Sequence, residues 1–186
     1  MSAEPSLPTL AELRERLAEG VPSGAGDEDS ARRQWWAALA TLQDDFLLPL
    51  GPQAGVWLAA PLPALYEPAL LQRLQGWIWA PAELGDLLQA SSPALLPAAA
   101  PATAAAGFAR LPLLEPDGTD PLLLVITPRL QLAMALVGEP TARRLVVRFD
   151  PPTLSATLSR LDERLQGTDP EQGQRLRSAI QALGPL

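Results

Sequence analysis

The chain has 186 residues, 14 basic and 21 acidic, with a formal charge of −7; that length predicts one domain with its own core. It contains no Cys, His, Lys or Asn, and 37 Leu, 31 Ala and 21 Pro dominate it. Without thiol or imidazole there is no disulfide, thiolate nucleophile, imidazole base or ordinary zinc or haem site. The acidic balance argues against nonspecific nucleic-acid binding and against an anionic membrane surface.

The N-terminal Met-Ser-Ala-Glu-Pro has neither the basic nor the apolar region of a secretory signal. Thr9-Leu10-Ala11-Glu12 has the spacing of a capping box, and Leu10, Leu13 and Leu17 follow at helical spacing up to Gly20. Val21–Asp29 is rich in Gly, Ser and acid and reads as a mobile loop. A second helix is expected from about Ser30 to Asp44, with Trp35, Leu39, Leu42 and Phe46 as its apolar stripe. After a turn at 51–55, Val56–Ala60 fits a short buried strand. Glu67-Pro68 opens a helix through Gln75, which Gly76 ends. Trp77-Ile78-Trp79 then reads as a strand with both indoles on one face.

From about 90 to 107 the chain is Pro/Ala/Ser-rich and reads as a flexible connector, since it buries too little side chain to offset its ordering entropy. Residues 116–120 form a turn, and Pro121–Thr127 is a continuous apolar strand of the kind buried on both faces. Its apolarity does not make a membrane span with the following strand. Pro128, Arg129 and Gln131 sit at the centre of 121–138, where an Arg costs about 2.5–3.5 kcal/mol. Leu130–Val137 alternates as a strand. A third strand alternates Leu145, Val147 and Phe149 with Arg144, Val146 and Arg148, giving a hairpin with one apolar and one Arg-bearing face. Asp150 caps a helix at Pro151-Pro152 whose stripe is Leu154, Leu158, Leu161 and Leu165, with Gly167 as its stop. Packing on the hairpin's apolar face is the expected use of that stripe, and a coiled coil the competing one. Asp169-Pro170 starts a last helix carrying Leu176, Ile180 and Leu183.

These elements predict an α+β fold: a mostly antiparallel sheet with helices packed against it, two helices at each end of the chain. The expected organisation is a tail, first helix and flexible loop over 1–29, then a single domain over 30–186 that includes the connector. Chemistry-bearing residues are few. Asp44-Asp45 and the Asp117/Asp120 pair could serve as acid and base or hold Mg²⁺, but the first flanks a loop and the second brackets a turn, where Asp has a conformational job. Arg143, Arg144 and Arg148 form the densest cationic cluster; Arg144 and Arg148 on one strand face could grip a phosphate or carboxylate, or simply pair with nearby acids. Of the five Trp, Trp36 is the best candidate for an exposed functional aromatic. Trp77 and Trp79 are candidates for a planar-ligand pocket or an interface, against the plainer reading of core aromatics. No catalytic residue, metal ligand or cofactor site is expected.

The run Pro121–Gly138, then Arg144-Leu-Val-Val-Arg-Phe-Asp150 and a Leu-rich helix, resembles the DICT sensory domain. The versions most similar stand at the N-termini of cyanobacterial sensor histidine kinases. Gly76-Trp77-Ile78-Trp79 before a Pro-rich connector is also similar, so the resemblance covers roughly 50–166. It implies an input module that senses or relays a signal in two-component or cyclic-dinucleotide signalling, with no catalytic residues to carry over; the N-terminus and the interrupted apolar runs lead to the expectation of a cytoplasmic protein. The chain has no histidine to phosphorylate, so such a module acts through a protein partner or a missing kinase domain, with a homodimer left open. The alternatives are a scaffolding protein docking through Trp36 and the Leu stripe, and a small anionic-ligand binder using Arg144 and Arg148.

Overall fold

A computed structural model describes residues 7–61, 64–82 and 108–184. The expected connector at about 90–107 lies outside the described residues. Helix α1 (Leu10–Ala18) opens on the capping box: the Glu12 amide donates to Thr9 Oγ1 at 3.1 Å and the Thr9 amide to the Glu12 carboxylate at 3.0 Å. Helix α2 (Glu28–Thr41) begins two residues before the expected Ser30, because Asp27 caps it by accepting the Ser30 amide at 2.7 Å. It continues into a π-helical turn, Leu42–Leu47.

The strands are β1 (Val56–Ala60), β2 (Gln75–Ala80), β3 (Phe108–Pro112), β4 (Leu122–Ile126), β5 (Gln131–Val137) and β6 (Arg144–Arg148). Helix α3 (Pro68–Arg73) connects β1 to β2, and α4 (Pro151–Thr168) and α5 (Pro170–Leu183) close the chain. The six strands form one sheet in the order β3-β2-β1-β4-β5-β6. β1, β2 and β3 are parallel to one another, whereas the β1–β4, β4–β5 and β5–β6 pairings are antiparallel. The architecture is α+β, with a mostly antiparallel sheet and helices packed on it. β3 has no counterpart in the sequence reading. It is an edge strand with only Leu111 buried, so it carries no strong alternation of apolar residues.

Both faces of the sheet are covered. Leu10, Leu13 and Leu17 of α1, with Leu154, Leu161 and Leu165 of α4 and Leu176 of α5, pack on the face formed by Leu58, Leu124, Ala135 and Val146. On the other face Trp35 and Leu39 of α2, Leu42 and Leu47 of the π-turn and Leu70 of α3 meet Trp57, Leu123, Val125 and Met134. Burial on two faces explains why β1 and β4 read as unbroken apolar runs. Helix α1 is thus part of the core, not an appendage to it.

The α4 stripe packs on the opposite side of the hairpin from the one expected. It shares its cluster with Val146, the middle residue of the Arg144/Val146/Arg148 row. The Leu145/Val147/Phe149 row faces α2 instead. With Leu154, Leu161 and Leu165 buried, the stripe offers no coiled-coil or docking seam. Two glycines also differ from expectation. Gly76 lies in β2 instead of ending a helix, and Gly167 is helical, α4 running on to Thr168.

A buried polar knot ties the N-terminus, the turn before β4 and helix α4 together. The Asp117 carboxylate accepts the Leu10 amide at 3.0 Å, the Leu114 amide at 2.8 Å and the Arg164 guanidinium at 2.5 Å. Arg164 also donates to the Pro8 carbonyl at 2.9 Å, and lies over the Trp79 ring. Arg14 donates to the backbone carbonyls of Asp117 and Asp120. Burial pushes the Arg14 guanidinium below its ordinary pKa, against the pull of Asp120 and Asp117. The expectation that Asp117 is conformational is met in a stronger form, since the carboxylate is fully buried.

Candidate functional site

The five residues singled out in the sequence do not converge. Trp77 and Trp79 are each 1% exposed in the core, with the Trp77 indole N–H donating to Gln172 at 3.1 Å. A buried indole between sheet and helices has no surface for a ligand or partner. Arg144 and Arg148 do share the α1 side of β6, but both are engaged. Arg148 donates to the Leu17 carbonyl at 3.2 Å, the Glu19 carbonyl at 2.9 Å and the Asp150 carboxylate at 2.7 Å. Arg144 donates to the Val21 carbonyl at 3.3 Å. They fasten the end of α1 to the sheet, so an anion would have to displace those carbonyls.

Of the exposed aromatics, Trp36, Tyr66, Phe46 and Phe149 gather around α2 and its π-turn, whereas Phe108 lies on β3. Adjacent residues on a helix diverge by about 100°, and Trp35 is accordingly 1% exposed while Trp36 is 52% exposed. The Trp36 ring meets Tyr66 at 6.1 Å between centroids, tilted by 49°. Tyr66 is positioned by the π-turn: the fully buried Gln43 side chain accepts the Tyr66 amide at 2.8 Å and the Glu67 amide at 2.9 Å. Trp36 also edges a cleft of about 190 Å³ with Arg32 and Arg143. Both cations are already paired there, Arg32 with Glu28 and Arg143 with Asp120.

The π-turn decides where Phe46 points. At 3.6 residues per turn Phe46 returns to the Trp35 side of the helix. The Leu48 amide instead reaches back five residues to the Gln43 carbonyl at 2.9 Å, which inserts one residue into the turn. Leu47 takes the core position and Phe46 is left 52% exposed. Phe46 then forms one wall of an apolar groove of about 160 Å³, with Ala38 and Leu42 beside it and Leu130, Val147 and Phe149 opposite. Phe149 is 61% exposed. Asp44 and Asp45 are exposed on the same turn. Phe46 and Phe149 were legible only as a helix stripe and a strand end; no periodicity announces a π-turn.

A family model described as "Domain of unknown function (DUF8628)" matches residues 11–186. The chain belongs to the DUF8628 family. The matched span begins inside α1 and takes in all the strands and helices that form the groove. No curated protein and no solved structure matches the chain. Among the described residues of this DUF8628 chain, no helix is long and apolar enough to cross a membrane.

The groove's outer strand is anchored by a titratable contact. The hydrogen bond from Arg148, then that from Thr153, holds the Asp150 carboxyl below the usual carboxylate range. Asp150 also caps α4, accepting the Thr153 amide at 3.2 Å. A depressed folded-state pKa adds stability that is complete above about pH 4 and is lost as pH falls below it. Asp150→Asn is expected to flatten that acid-side loss in thermal unfolding followed by circular dichroism from about pH 5 to pH 2. An unchanged slope would assign the acid sensitivity to other carboxylates.

Proposed function

We propose that this chain is a non-enzymatic signal-input module of bacterial two-component or cyclic-dinucleotide signalling, acting in the cytoplasm through a protein partner such as a histidine kinase. The observation that carries the reading is the apolar groove with Phe46 and Phe149 standing half out of it. Large exposed apolar side chains beside a concave apolar surface are what protein interfaces use as anchors. The partner it fits has an apolar ridge flanked by Arg or Lys. Exposed Asp44 and Asp45 adjoin Phe46 and the chain carries a net charge of −7, so such a partner meets complementary charge. The resemblance of 121–150 to the DICT domain supports the signalling assignment, and the missing thiol and imidazole support a role in relay instead of chemistry.

The test is a photo-crosslinking aromatic at position 46, with Ser178 on exposed α5 as control. Crosslinking to an identified kinase or cyclase, weakened about tenfold or more by Phe46→Asp, supports the reading. Equal adducts at both positions, or binding indifferent to Phe46→Asp, would overturn it. A scaffolding role docking through Trp36 is the second reading, favoured by the exposed Trp36–Tyr66 pair; it predicts that Trp36→Ala, not Phe46→Asp, releases the partner. The anionic-ligand reading keeps Arg144 and Arg148 only at the expense of their bonds to α1.

A further inference from the structure

Strand β6 is one edge of the sheet, and its unpaired side can be identified from the ladder. In an antiparallel pair each residue turns its N–H and C=O to the same side, and successive residues alternate. The Leu136 amide bonds to the Pro121 carbonyl, on the β4 side. Its β5 neighbours Ala133, Ala135 and Val137 therefore face β6, where their partners are Arg148, Val146 and Arg144. Leu145, Val147 and Phe149 are left with their backbone N–H and C=O pointing away from the sheet.

Among the described residues, the chain covers only the start of this edge. Gly26 bridges to Arg143, and Gly24 passes so close that a Cβ there would stand 2.7 Å from the Arg144 Cβ. Beyond that point the edge has no Pro, Lys or bulge, the usual guards of an open strand. Its two Arg are held on the α1 side by carbonyls. The opposite edge, β3, carries Arg110 and ends on Pro112.

The free segment is complementary to itself. Around a two-fold axis through Val147, an antiparallel copy sets Val147 opposite Val147, and Leu145 opposite Phe149, in one apolar row on the α2 side. On the other side Val146 meets the aliphatic stem of Arg148. The ladder stops at the Leu145–Phe149 pairs, because residues 24–26 already lie beside Arg143 and Arg144. No like charges face each other in this register, and every pair on the α2 side is apolar. Val147 is 37% and Phe149 61% exposed, so among the described residues nothing fully covers this end of the row.

We infer that two copies of this chain associate through β6, antiparallel and centred on Val147, to form a continuous twelve-stranded sheet across an isologous interface. The arrangement sets the two apolar grooves side by side across the dyad, making the docking face two-fold. The seam takes up Val147 and Phe149 of the groove wall and leaves Phe46 to the partner; its test is separate from the partner reading, because the oligomeric state is measured with no partner present.

Sedimentation equilibrium of the full chain should give twice its 19.8 kDa mass. Val147→Lys and Val147→Glu, each placing like charges on the axis, should sediment as folded monomers, and an equimolar mixture of the two should recover the dimer. The chain has no cysteine, so Val147→Cys gives an independent readout. The paired Cα atoms would lie about 5.5 Å apart, within disulfide range, so mild oxidation should crosslink it while Ser178→Cys stays monomeric. A wild-type monomer at all concentrations, dimers that survive both charged substitutions, a mixture that stays monomeric, or equal crosslinking at 147 and 178 would each overturn the inference.

Discussion

Asp117→Ala is expected to lower the stability of the domain by about 3–5 kcal/mol, the typical cost of removing one partner of a buried ion pair. The carboxylate is fully buried and answers three donors from three parts of the chain: the Leu10 amide, the Leu114 amide and Arg164. Removing it strands a guanidinium that is itself 1% exposed. The decisive measurement is a double-mutant cycle in urea. Arg164→Met alone leaves Asp117 short of a cation, but in the Asp117→Ala background it removes the uncompensated charge. The double variant should therefore be more stable than Asp117→Ala alone. A loss under about 1 kcal/mol in Asp117→Ala would show that water reaches the knot and replaces the carboxylate. Because Asp117 joins α4 to the chain before β4, the loss should appear as global unfolding, not fraying of α1.

Gly76→Ala should cost about 1–3 kcal/mol, although it adds a single methyl group. Gly76 is paired with Trp57 on one side and Phe108 on the other. The Trp57 indole lies across the glycine, so that a Cβ at residue 76 would fall inside the ring's van der Waals envelope. That passage lets Trp57 of β1 reach Phe108 of β3 with 5.7 Å between ring centroids. The two aromatics roof a glycine that has no side chain of its own to pack. The alanine must push the indole off this path and break the contact. Near-UV circular dichroism should report the moved ring, and chemical denaturation the lost stability. In a Trp57→Leu background the same alanine should cost less, because the clash is with the ring. An equal cost in both backgrounds would place the strain in the β2 backbone instead.

Much of the fold is legible in the amino-acid sequence. Period-two runs gave β5 and β6, the apolar run Pro121–Thr127 gave β4, and Asp150-Pro151-Pro152 marked the start of α4. These signals are local, arising from backbone periodicity, side-chain burial and helix-end chemistry within a few residues. The elements that escaped are those whose pattern is set by distant neighbours. β3 is recruited to an edge by β2, and its half-exposed residues show no alternation. Trp77 and Trp79 read as core aromatics with a ligand pocket or interface as the competing use, because a strand's sequence does not say whether a helix will cover a given face.

Composition alone decided which chemistry is available: a chain without Cys, His or Lys has only carboxylates, Arg and hydroxyls to offer. Alternation alone separated the two faces of β6. Which face would be buried was decided by α1, whose carbonyls at Leu17 and Glu19 hold Arg148 and so turn Val147 and Phe149 toward α2. The exposure of Phe46 likewise depends on one hydrogen bond from Leu48 to Gln43, and Gln43 sits there because its buried amide satisfies the backbone ahead of α3. A buried polar group takes its position from the partners it must satisfy, and those partners are 23 and 24 residues away in sequence. Local pattern fixes elements and their two-sidedness, whereas the groove exists only because distant hydrogen-bond partners choose which side each element shows.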